Sequence, residues 1–153
     1  RLAAPGDPVL AAVFLDRARE FHRGAQIGAP IALAPALHLL AISCELGLKA
    51  HLLGHGWTDD ALARDIRHDL VRALDEARQL GLPAPGRPLA DFIKSLGPAY
   101  AVHRIDALVA GGYACDIGAV LCETGQLLDA VAACLRPATP GAATLRTSSS
   151  PSA

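Results

Sequence analysis

"AISCELGLKAHLLGHG", residues 41–56, is the stretch on which the fold turns. Pro35 suits the first turn of a helix that runs through it to about Leu53. Leu37, Leu40, Ala41, Cys44, Leu48 and Leu52 form one apolar stripe of that helix, and Leu39, Ile42, Leu46 and Leu53 cover much of the opposite side. A helix apolar on nearly every side is one buried on nearly every side, so this segment is the predicted centre of an all-α protein. Glu45 and Lys49 nevertheless stand in its middle. As an i, i+4 pair in the favourable order they stabilise a helix by roughly a few tenths of a kcal/mol. The alternative is a polar seam, because charge among apolar side chains is costly unless something hydrogen-bonds it. A seam predicts that Glu45 is held by a cationic or amide partner outside its own helical turn.

Working outward, helices are expected almost throughout. Upstream, apolar residues at 10, 13, 14, 18 and 21 recur at helical spacing while Asp16, Arg17, Arg19, Glu20 and Arg23 fill the other face, which makes an amphipathic first helix from Pro8 to about Gly24. Downstream, Thr58 is placed to cap a short helix with Asp59 and Asp60 in its first turn. Asp69 opens a longer one to Leu80 with Leu70, Leu74 and Ala77 inward, closed by Gly81. Pro88 opens another, which Gly97-Pro98 is expected to interrupt before the chain continues through Tyr100 to about Val109. The last helix carries Ile117, Val120, Leu121, Thr124, Leu128, Val131 and Leu135 on its core side and ends at Pro137. Residues 137–153, rich in Ser, Thr, Ala and Pro and without periodicity, read as a disordered tail behind a single domain of residues 1–136.

Composition agrees. Hydrophobic residues make up 52% of the 153, dominated by Ala, and aromatics only 4%, which favours close-packed helices over sheets. The net charge of −1, with Lys and Arg scattered, excludes a broad footprint for duplex nucleic acid or an anionic membrane surface, while leaving room for a small basic site. No signal-peptide pattern and no uninterrupted apolar run of about 18 residues appears, so no membrane is expected and the cytoplasm is the expected location. The chain opens at Arg1 rather than Met, so further residues are expected to precede it.

Cys44, Cys115, Cys122 and Cys134 lack CxxC spacing and are expected to be buried free thiols of a reducing compartment. His51 and His55, four apart, have metal-ligand spacing, but no paired Cys or HExxH motif completes a set. They read as surface histidines at a helix C-terminus, where the dipole favours them. No Gly-rich phosphate loop is present. Neither a metal nor a cofactor is expected.

"HLLAISCELGLKAHLLGHG" (38–56) followed by "IRHDLVRALDEARQLGL" (66–82) resembles the HEPN family of helical domains, in which an E-L-x-L-K-A-x-L helix precedes an H-D-L helix start. "LGPAYAVHRID" (96–106) is similar to the Tyr-then-Arg segment that such domains carry before their last helix. The resemblance covers about residues 8–136. It implies an up-and-down bundle of about five helices, often a homodimer, that binds nucleotides or RNA and in many members cleaves RNA. The ribonuclease members place an Arg, four to six residues, then a His late in the fold. This chain departs from that pattern, because no His follows Arg104, Arg64 and His68 have only three residues between them, and Arg17 and His22, although correctly spaced, fall in the first helix.

Two functions follow, with a structural helical adaptor as a third. The first is a non-catalytic module binding RNA, a nucleotide or a partner protein in a defence or toxin–antitoxin setting, with Glu45, Lys49, His68, Asp69, Tyr100, His103 and Arg104 as the ligand-binding set. Tyr100, His103 and Arg104 offer a ring, an imidazole and a guanidinium, the physical minimum for holding a base and a phosphate. Asp69 also reads as a helix cap and His68 as its neighbour. The second is a metal-independent endoribonuclease in which His68 takes the ribose 2′-hydroxyl proton and Arg64 or Arg104 steadies the phosphorane.

Overall fold

A computed structural model describes residues 5–137. The proposed tail lies almost wholly outside them. The described residues form seven α-helices and one π-helical turn, and no strand: α1 Pro8–Gly28, α2 Leu33–Gly54, α3 Asp59–Ala61, the π turn Leu62–Ile66, α4 Leu70–Gln79, α5 Arg87–Ala101, α6 Ile105–Ala110 and α7 Ile117–Leu135. Helix starts follow local chemistry. Asp7, Thr58, Asp69 and Asp116 each accept a bond from a first-turn amide, as capping residues do. Gly86 opens α5 with no cap of its own, and Glu123 from α7 accepts the Leu89 amide at 2.7 Å instead. A Cβ on Gly86 would lie 1.9 Å from that carboxylate, so only glycine lets it approach.

The all-α expectation holds. The count exceeds five because the chain bends twice more than the resemblance implies, at Trp57–Thr58 and again at residues 102–104. The expected break at Gly97-Pro98 does not occur, and α5 runs through Pro98 to Ala101. Pro98 forfeits one i−4 bond, but the fourth residue before it, Lys94, is exposed, so water can serve the freed carbonyl. The helix stops instead at Ala101, and two residues further on His103, with φ 57°, turns left-handed.

α1 and α2 form an antiparallel hairpin, and α7 lies across both. Leu128 lies against Gly47 and Leu135 against Gly54, so α7 runs parallel to α2. On α2's other flank sit α4, α5 and α6. Thirteen of the 22 residues of α2 are buried, against five of 19 in α7, so α2 is the core helix. Leu40, Leu48 and Leu52 are fully buried, as its stripe requires. By length and composition both α2 and α7 could cross a membrane; 72% of the apolar window of α2 is buried within the protein but 28% of that of α7. Packing thus accounts for the apolar length of α2, whereas α7 lies nearer the surface, with Gly118, Cys122, Gln126, Asp129 and Ala133 exposed.

Sequence expectations for Val13 and the cysteines fail on burial. Val13, assigned to the inner stripe of α1, is 47% exposed. Of the four free cysteines only Cys44 is buried, and Cys122 is exposed because its position on α7 faces away from α1 and α2. Burial pushes the Cys44 thiol up to about 12, with the Thr124 hydroxyl pulling the other way.

Candidate functional site

The question raised by Glu45 is answered where α2 meets α4 and α5. Its carboxylate is buried, and every oxygen is used. Oε1 accepts from Lys49 Nζ at 2.8 Å and from His68 Nδ1 at 2.8 Å, and Oε2 accepts from the Tyr100 hydroxyl. The polar seam is therefore real, and the internal ion pair is one arm of it. Its outside partners are an imidazole and a phenol. Burial, and then the Glu45 carboxylate itself, push the Tyr100 hydroxyl well above its ordinary value, so Tyr100 acts as a donor and not as a phenolate.

A carboxylate only accepts, so the His68 bond fixes Nδ1 as the protonated nitrogen and leaves Nε2 for the cleft. Local backbone delivers that ring. The π turn closes with the Arg67 amide on the Leu62 carbonyl at 2.9 Å, and Arg67 itself has φ 53°. Arg67 and His103 are the non-glycine residues with positive φ among those described, and they lie beside and within the imidazole cluster. Strain of about 1–3 kcal/mol at each is held by the surrounding helices, and its concentration at one place marks a candidate site.

Two imidazoles stand against Tyr100, and a third stands beside one of them. His68 and His38 meet its ring edge to face at 5.8 Å each, and the His68 and His103 rings lie 6.0 Å apart. Two clefts flank the pair. One, of about 440 Å³, is lined by Arg64, Arg67, His68 and Asp69 with their neighbours; the other, of about 330 Å³, is lined by Ala34, Pro35, His38, His103, Ile105 and Asp106. No group of three metal-ligating side chains occurs among the described residues.

The sequence-derived set divides into buried supports and exposed rings. Lys49 is largely enclosed and committed to Glu45, and Tyr100 is buried, so neither presents its polar atom outward. Asp69 caps α4 through the Arg72 amide at 3.0 Å. Arg64 shares the cleft of His68, but its guanidinium is engaged by Asp65 at 3.1 Å. Arg104 and Arg67 are exposed and carry no side-chain bond among the described residues. His22, the alternative partner of Arg17, bonds the Leu121 carbonyl at 2.7 Å and fastens α1 to α7.

His51, expected at the surface, is fully buried, because α4 packs over this end of α2 and the Leu80 carbonyl accepts from its Nε2 at 3.0 Å. His38 was missed as a site residue. Positions 38, 45 and 49 are spaced by seven and four, which places them on one helical face, and that polar register was the available signal. Compared with protein-family models, curated proteins and solved structures, the chain matches none.

Proposed function

We propose that this is an HEPN-like helical module that binds RNA or a nucleotide at the two clefts flanking His68 and His103 and does not turn it over. The observation that carries the reading is the saturated Glu45 carboxylate, which orients His68 from a buried anchor while His103 stands 6.0 Å away. A preorganised ring pair, with Arg67 in the cleft of His68 and Arg104 next to His103 in the chain, offers stacking faces and cations for phosphate, as single-stranded nucleic acid or a nucleotide requires. The net charge of −1 favours such a local site over an extended basic track. A homodimer belongs to the same reading, as the resemblance to HEPN domains implies. So do a cytoplasmic location and a partner protein in a defence or toxin–antitoxin system.

The test is equilibrium binding of a short single-stranded RNA and of nucleoside monophosphates. Expected are weak binding that falls as salt rises and a further loss in His68→Ala; absence of binding by the wild type overturns the proposal. One observation favours an endoribonuclease as second reading, namely that a carboxylate–imidazole dyad orients His68 as a general base would be oriented. Against it, the Arg64 guanidinium is already held by Asp65. RNA cleavage by the wild type that His68→Ala abolishes would establish the second reading.

A further inference from the structure

The cleft lined by Ala34, Pro35, His38, His103, Ile105 and Asp106 has a chemistry of its own. Ala34, Pro35 and Ile105 give apolar wall, His38 and His103 give flat rings, and Asp106 gives a carboxylate. Asp106 is exposed and has no hydrogen-bond or ion-pair partner among the described residues, so it is free to serve a ligand. The left-handed backbone of His103 sets its ring between this cleft and His68. A free phosphate suits the place poorly, because an ionised carboxylate repels it and can only accept hydrogen bonds. What fits is a planar heterocycle with donors on one edge, stacked on an imidazole. Its phosphate would then lie across His103, beside His68 and Arg67.

We propose, resting on the nucleotide-binding reading above, that this cleft is a base-selective subsite and that Asp106 selects guanine. Among the common bases guanine alone sets two adjacent donors, N1–H and the N2 amino group, on one edge, where a carboxylate accepts both. Adenine and cytosine offer a single amino group beside a ring nitrogen that accepts, and uracil offers one imino group between two carbonyls. Those acceptors face the carboxylate with repulsion. Asp106 is thus the specificity-determining residue, and His68 with the arginines provides the part of the affinity common to all bases.

Titration calorimetry of the full chain with the 5′-monophosphates of guanosine, adenosine, cytidine and uridine tests this. Guanosine monophosphate should bind on the order of tenfold more tightly than the others, the range expected of one bidentate base contact. Asp106→Asn, at an exposed position, should keep the melting temperature and lose that advantage, and it should not weaken adenosine monophosphate, whose donor–acceptor edge an amide matches. His68→Ala should weaken all four alike. Equal binding of the four nucleotides, or a guanine preference that survives Asp106→Asn, overturns the selectivity while leaving nucleotide binding intact. Binding of none overturns both.

Discussion

The two flanks of α2 solve different problems with the same helix. Toward α1 and α7 it is dry and matched by size. Ser43 donates to the Ala18 carbonyl at 2.7 Å, Cys44 lies against Thr124, and Gly47 admits Leu128 so closely that an added Cβ would stand 2.5 Å from its methyl. Toward α4, α5 and α6 it carries His38, Glu45 and Lys49, and the fit is one of donors to acceptors. On the dry flank a wrong residue costs contact area and shape. On the polar flank it strands a charge. The difference teaches where function can sit, since the polar flank reaches the surface at His68 and His103, whereas the dry flank ends in apolar packing.

Breaking the polar flank at its centre should produce the largest effect. Glu45→Gln keeps the shape but leaves the Lys49 ammonium, itself 13% exposed, without a counter-charge and makes the Tyr100 hydroxyl turn to accept from an amide where it donated to a carboxylate. Removing one member of a buried pair costs about 3–5 kcal/mol. Urea or thermal unfolding should show a loss of that size. A loss under about 1 kcal/mol, the range of an exposed ion pair, would mean that water reaches the carboxylate and that the contrast between the flanks is weaker than drawn. Replacing both members, as Glu45→Leu with Lys49→Leu, should recover part of the loss, because no ammonium is then left unpaired.

How much of this was legible beforehand depends on range. Burial of α2 could be read from its stripes, and the caps at Thr58 and Asp69 from single residues, because those signals are local. That Glu45 needed an outside partner was also legible, since desolvation cost requires one. Which partner was not, because His68 and Tyr100 are 23 and 55 residues away and only tertiary packing brings them in. The expected break at Gly97-Pro98 failed for a related reason. Gly97 packs against Leu70, with an added Cβ 3.6 Å from it, and this tertiary contact favours a continuous α5 over the local preference to stop. His51 was misplaced because its burial comes from Leu80 at the end of α4, 29 residues away.

The dry flank should respond less. Gly47→Ala gains the helix propensity of alanine over glycine, about 0.8–1.0 kcal/mol. Against it stands the contact with Leu128, and overpacking of a core costs typically about 1–3 kcal/mol. The obstructing atom is the far end of a flexible side chain, which lowers the penalty toward the bottom of that range. The expected outcome is a net loss of about 1 kcal/mol or less, read from chemical denaturation. A clear gain in stability would show that Leu128 turns aside at no cost and that shape does not specify this flank.

The smallest effect is a pH dependence at the far end of the α2–α4 contact, and it sharpens the comparison because one polar group there lacks a full set of partners. His51 spends its Nε2 proton on the Leu80 carbonyl, and its Nδ1 is buried with no hydrogen-bond partner. His55 stacks on it with ring centroids 4.1 Å apart, and its own Nδ1 donates to the His51 carbonyl at 2.7 Å. Burial lowers the His51 pKa below its ordinary 6.5; the bond to Leu80 raises it, and the charge of a protonated His55 lowers it further. A second proton on this ring would have to sit on Nδ1, where nothing accepts it. The folded protein therefore binds this proton less readily than the unfolded chain does, so the linked stability is complete above the unfolded value of 6.5 and is lost as pH falls from there toward the lowered folded value. His51→Gln keeps an amide donor for the Leu80 carbonyl and removes the titration. The unfolding free energy of the wild type, measured from about pH 7.5 down to about pH 5, the window in which histidine changes charge, should fall more steeply than that of His51→Gln. Parallel curves would show that water or a rearranged ring satisfies Nδ1, and the seam would then be as fully paired at this end as it is at Glu45.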